Sequence, residues 1–234
     1  MEQRDLDILR HVARHGLSTK DIIQRVFFGE TSSSTVFTRL LKEKRLLTSE
    51  GRLLPGGRVY YQCSEAGLAA VEQHESSRGK ARRNYVVDPL SGQQLLDRLA
   101  ALWFCNWDPN QRRLLLQTED LAELIQSSDA PRGLHAVQAS DQRFALLRIY
   151  VPGPVTEPTR VREQVAMIAD GLLQNDATKK WVVTKNYGIL VLVHDRDRQQ
   201  AVRKVVYSKG LSEKVSIHLG IAPTPEVYDK AVKS

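Results

Sequence analysis

Between residues 32 and 42, hydroxyl and basic side chains crowd one side of an apolar-periodic run: Ser32, Ser33, Ser34, Thr35, Thr38, Arg39 and Lys42. Short hydroxyls donate and accept at close range, and the free backbone N–H groups of a helix start add donors for an anion. An arginine reaches a guanine edge and a lysine a phosphate. The chemistry open to such a set is recognition of a polyanion rather than bond making. Further along, Arg52 and Arg58 flank Pro55-Gly56-Gly57. A glycine-rich tip with arginines beside it can approach a sugar–phosphate backbone or enter a minor groove. A helix start rich in Ser and Thr is also the ordinary composition of a cap with a solvated face, so the set gains meaning only from the elements around it.

Those elements follow from the apolar spacing. "QRDLDILRHVARH", residues 3–15, places Leu6, Ile8, Leu9, Val12 and Ala13 at helical spacing, and Gly16 stops the run. "STKDIIQRVF" restarts, with Ser18 and Asp21 as an acidic variant of the capping box. A third helix, residues 32–45, has Val36, Phe37, Leu40 and Leu41 on its inner face. Two β-like pieces around Pro-Gly-Gly predict a hairpin, with residues 52–58 as its end. "SEAGLAAVEQHE" predicts a fourth helix capped by Ser64. Three helices followed by a two-stranded wing are the parts of a winged helix-turn-helix, in which the third helix lies in the DNA major groove.

The expected organisation is therefore a winged helix-turn-helix over residues 1–75, a basic linker over 76–84 ("SSRGKARRN"), and a mixed α/β domain over 85–234. In the last part, "GQQLLDRLAALWFCNW", "TEDLAELIQSSD" (with Thr118 as its cap), "PTRVREQVAMIADGLLQ" and "RDRQQAVRKVVYS" read as helices. "RRLLLQ", "QRFALLRIYVPG", "KKWVVT", "GILVLVHD" and "KVSIHLGI" read as strands. The alternation predicts an α/β (α+β) fold class. Leu95, Leu99, Leu102 and Trp103 offer a pairing surface for a homodimer, or else form part of the second domain's own core.

Charge points the same way. The net charge is +7, and residues 1–83 hold fifteen Lys/Arg against ten Asp/Glu, so the excess sits in the first third. No apolar run nears the roughly 20 residues of a membrane span, and "MEQRDLDILR" lacks a signal-peptide core. The expected location is cytoplasmic, with no membrane partner. Cys63 and Cys105 form no metal-ligand spacing. His11 and His15 stand i, i+4, but without a third ligand, so no metal site and no cofactor is expected.

The residues also resemble a known pattern. Asp7 to Leu9, Leu17 to Thr19, Phe27 to Gly29, Arg39 to Leu47 and Tyr61 to Gly67 are similar to the N-terminal module of the replication-relaxation family, winged-helix proteins of plasmids and integrative elements. The similarity covers roughly residues 1–72, under a third of the chain. It implies a restriction-endonuclease-like C-terminal domain, and hence a search for acids. A metal-dependent nuclease needs a carboxylate on one strand and an acid-x-Lys pair on the next. "FALLRIYVPG" has Arg148 where the acid is wanted, while Asp141 and Asp195 stand outside the strands without partners. The implied fold is accordingly a degenerate one without catalytic residues. No phosphate loop, dinucleotide fingerprint or nucleophile elbow appears either. The expectation is a sequence-specific double-stranded DNA-binding protein and not an enzyme, acting as a regulator or as a replication or transfer factor of a mobile element. It would bind as a homodimer, with a protein partner for the C-terminal domain. The alternative is a metal-dependent nuclease or relaxase-accessory enzyme acting on the DNA it binds.

Overall fold

Helix α1 (Gln3–His15) buries Leu6, Ile8, Leu9, Val12 and Ala13 along one stripe. It ends at Gly16, whose φ of 76° is a left-handed value that side chains resist. It opens a computed structural model that describes residues 2–29, 31, 34–53, 58–77, 85, 88–140, 143–207 and 210–233. Then follow β1 (Ser18–Thr19), α2 (Lys20–Phe27), α3 (Ser34–Thr38) running directly into a π-helical turn (Arg39–Glu43), β2 (Leu47–Leu53), β3 (Arg58–Cys63), α4 (Glu65–Ser76) and α5 (Gly92–Asn106). The strands form an antiparallel sheet in the order β1-β3-β2. The expected helix over 32–45 is thus described only from Ser34, and its regular part is short.

Local chemistry explains most of these boundaries. Ser64 caps α4 by accepting from Gly67 N at 3.1 Å, as expected. Ser18 does not cap α2. Pairing of β1 with β3 sets Ser18 opposite Tyr61, and its hydroxyl meets His11 Nε2 at 3.1 Å instead. Thr19 takes the cap, accepting from Ile22 N at 3.4 Å. Gly67 lets α4 approach the chain before β2, because a Cβ there would overlap the Leu46 carbonyl oxygen. Gly67→Ala should therefore cost about 1–3 kcal/mol, as overpacking against a fixed backbone does. Urea denaturation checks this, and an unchanged midpoint would show that α4 can slide.

The chain divides into two compact units, Met1–Trp107 with Pro225–Ser234, and Asp108–Thr224. Helix α5 was expected with the second domain, but it belongs to the first unit. Its Leu99 and Leu102 are buried with Leu17, Ile22, Tyr60, Leu90 and Tyr228, while Leu95 and Trp103 pack against that cluster. These four side chains are therefore core of the first unit rather than an open pairing surface. The physical reason is that Leu17, Ile22 and Tyr60 form an apolar face that residues 1–75 leave uncovered. The tip Pro55-Gly56-Gly57 and linker residues 78–84 lie outside the described residues. Ser76 and Ser77 complete α4.

The second unit holds β4 (Arg112–Leu116), α6 (Thr118–Ile125), β5 (His135–Ser140), β6 (Arg143–Tyr150), α7 (Pro158–Gln174), α8 (Asp176–Val183), β7 (Tyr187–Val193), α9 (Arg196–Val206), α10 (Leu211–Lys214) and β8 (Ser216–Ile221). Its sheet runs β4-β5-β6-β7-β8, antiparallel through β6 and parallel from β6 to β8. The class is mixed α/β. Strand β7 is buried along its whole length, which suits an uninterrupted apolar run. Helices α6 to α10 contribute Leu121, Val165, Val182, Val202 and Leu211 to one cluster with sheet residues Leu146, Ile189 and Ile217.

Three local expectations change here. "KKWVVT" is not a strand but the end of α8, because Asn175 caps that helix by accepting from Ala177 N at 3.0 Å and Thr178 N at 3.2 Å. The cap of α6 is Gln117, in a reciprocal capping box with Asp120, and Thr118 is its first helical residue. Strand β5 escaped the sequence reading because "HAVQAS" has almost no apolar alternation. Its neighbours β4 and β6 define it instead. The chain ends in α11 (Tyr228–Lys233), which returns to the first unit.

Candidate nucleic-acid interface

The first unit presents α3 and its π-turn on an apolar base. Phe37 is 7% and Leu40 1% exposed, while Thr35, Thr38 and Lys42 are exposed. Three of the expected site residues thus share an outward helical position. Ser32 and Ser33 lie outside the described residues, as do the side chains of Ser34, Arg52 and Arg58. The register nevertheless sets Arg52 opposite Val59 and Leu53 opposite Arg58, so both arginines stand at the tip end of the ribbon. The π-turn is closed by Lys44 N to Arg39 O at 2.8 Å and Leu46 N to Leu40 O at 2.8 Å. Arg45 then takes a left-handed φ of 50°, which turns the chain into β2.

Arg39 behaves differently from its neighbours. The sequence reading sends it to a guanine edge. In the structure its guanidinium is bidentate to Glu2, with Nη1 to Oε1 at 2.8 Å and Nη2 to Oε2 at 3.0 Å. The same Nη2 donates to Asp5 Oδ1, and Lys44 Nζ donates to Asp5 Oδ2 at 3.1 Å. Asp5 is fully buried and Glu2 largely exposed. Burial pushes the Asp5 carboxyl toward a higher pKa, but the hydrogen bonds from Arg39 and Lys44 outweigh it and hold the group below its ordinary value. Arg39 thus joins the start of α1 to the end of α3, and Asp5 is the fixed point.

Sequence reasoning missed Glu2, Asp5 and Lys44. A signal existed: Asp5 stands four residues before Leu9 and seven before Val12, on the apolar stripe of α1. An acid there must find cations when it is buried. Gln24 was also missed. Its Nε2 donates to Gly29 O at 2.8 Å and to Thr31 O, fixing the turn that leads to α3.

Behind this surface, the rings of His11 and His15 meet at a tilt of 48° with centroids 4.7 Å apart. His15 Nε2 lies 3.2 Å from Asn106 Nδ2 of α5, and Arg98 of α5 donates to the His15 carbonyl at 3.4 Å. Burial lowers both pKa values, to about 4 for His11 and well below the ordinary range for His15; the nearby charges of Arg14 and, for His15, Arg98 add to this. Two neutral imidazoles in contact here are packing elements. Among the described residues no group of three His, Cys, Asp or Glu gathers to hold a metal. Burial pushes the Cys63 thiol up to about 12, and its Sγ donates to Leu9 O.

In the second unit, Arg148 Nη1 donates to the carbonyls of Leu134 and Ile149 at 3.2 and 2.6 Å. Asp195 caps α9 by accepting from Arg198 N at 2.7 Å, and Asp141 lies outside the described residues. Comparison of the chain with protein-family models, with curated proteins and with solved structures gave no match.

Proposed function

We propose that the protein binds double-stranded DNA through its first unit, as a winged helix-turn-helix. The helix over 34–43 would enter the major groove, and the β2–β3 ribbon would lie along the backbone or minor groove. One observation carries this reading: an exposed Thr35, Thr38 and Lys42 on a helix anchored by Phe37 and Leu40, followed at once by an antiparallel ribbon with arginines at its tip end. The basic balance of residues 1–83 supports it. Thr35 and Thr38 are the candidate base-edge contacts, with Ser32, Ser33 and Ser34 at the helix entry. Lys42, Arg52 and Arg58 are the candidate phosphate contacts. The resemblance to the replication-relaxation family supports a regulator, or a replication or transfer factor, of a mobile element. Binding as a homodimer would join two half-sites. Arg148 and Asp195 serve main-chain hydrogen bonding and capping, which favours a binding role over a nuclease.

Selection of duplexes from a random library by the purified full chain tests the proposal. A short enriched site is the expected result. Lys42→Ala, Arg52→Ala and Arg58→Ala should each weaken all duplexes alike and reduce the salt-dependence slope by about 1. Absence of any salt-dependent duplex binding would overturn the reading and leave a protein-docking module. Magnesium-dependent cleavage would establish an enzyme instead.

A further inference from the structure

We propose that Arg39 is a phosphate clamp whose anion position is occupied, in the free protein, by Glu2. This rests on the duplex-binding reading and adds to it a contact of different character from base reading. A guanidinium fork matches a carboxylate and a phosphate by the same two-oxygen geometry. The Glu2 carboxylate takes both outer nitrogens of Arg39. It is 65% exposed, against 0% for Asp5. Glu2 is also the N-cap residue of α1, yet its side chain makes no capping bond. Its departure therefore breaks no capping bond, and a phosphate that takes the same two nitrogens replaces the bonds lost to Arg39.

Asp5 gives the clamp its aim. It holds Arg39 from within the fold and is itself held by Lys44. When Glu2 withdraws, the guanidinium stays in place beside the exposed Thr38 and Lys42. The ligand is a backbone phosphate of duplex DNA, a sequence-independent contact. Glu2 then acts as an internal competitor that lowers affinity for every duplex and, being a surface charge, does so most at low salt.

The test is affinity of the full chain for one random-sequence duplex across a salt series. Glu2→Gln should tighten binding about two- to fivefold at about 50 mM salt, with the gain shrinking as salt rises. Asp197→Asn removes one negative charge from the exposed first turn of α9 and should give no such gain. In an Arg39→Lys background, which keeps the charge and loses the fork, the gain from Glu2→Gln should disappear. If wild type binds the duplex and Glu2→Gln leaves affinity unchanged or weaker, the clamp is wrong while the duplex-binding reading stands. The clamp is equally wrong if Asp197→Asn matches the gain, or if the gain persists in Arg39→Lys. If wild type binds no duplex, both fall.

Discussion

Tyr228→Ala should destabilise the first unit by about 3–5 kcal/mol, the usual cost of truncating a fully buried aromatic. Tyr228 is 1% exposed. Its hydroxyl lies 2.6 Å from Thr19 Oγ1, across 209 residues of chain, and its ring meets Trp103 edge-on at 5.7 Å. Thr19 is the cap of α2, so the C-terminal segment steadies the start of a helix-turn-helix element. Tyr228→Phe keeps the ring and loses only the hydroxyl contact, and should cost about 1 kcal/mol. Removal of residues 225–234 should exceed both, because it also uncovers Leu17, Ile22, Leu99 and Leu102. Urea unfolding followed by tryptophan fluorescence reports these differences, since Trp103 and Trp107 stack at 3.9 Å in the same cluster. An unchanged midpoint for Tyr228→Ala would mean that α11 does not dock there in solution. A practical consequence is that a fragment ending near residue 75 should fold poorly.

The second large effect is acid sensitivity. His15 is 3% exposed and neutral in the fold. An unfolded histidine takes a proton near pH 6.5. Between that value and the lower folded pKa the unfolded chain binds more protons, so stability is complete above about pH 6.5 and is lost as pH falls. From pH 7.5 to 5 the loss from His15 should be about 2 kcal/mol. His11, whose folded pKa of about 4 also lies below pH 5, adds a comparable amount in the same direction. His135 does so within the second unit, where burial, then Arg148, lowers its pKa to about 3. Asp5 contributes only at lower pH, since its stabilisation is held above the ordinary carboxyl pKa and lost as pH falls below it. Urea midpoints for wild type and His15→Gln at pH 7.5 and 5 separate these contributions. The variant should be less stable at pH 7.5 but lose less on acidification. Equal losses would show that His15 is accessible to solvent protons.

The parts of this protein that were legible in advance are those set by short-range periodicity. The stripe Leu6, Leu9, Val12 with Gly16 behind it specifies α1 and its end, because a 3.6-residue period and a left-handed glycine are local facts. Ser64, as its cap, specifies the start of α4 in the same way. The ribbon β2–β3 followed from two β-rich runs around Pro-Gly-Gly. Short apolar runs were ambiguous: "KKWVVT" suits a strand or a helix, and the Asn175 cap decides for the helix. Strand β5 was illegible because its own residues carry too little pattern, and its place comes from pairing on both sides.

For the candidate interface, the sequence by itself determined the composition of the outer helix face: Thr35, Thr38 and Lys42 outside, Phe37 and Leu40 inside. Only the tertiary structure decided what Arg39 touches, since Asp5 lies 34 residues away in the chain. It also decided that α5 and Tyr228 complete the first unit. The physical reason is one of range. Helix period, caps and turn residues act over a few positions and are written in order along the chain. A buried carboxylate, or an apolar face larger than its own segment can cover, draws its partner from any distance, and the order of residues does not say from where.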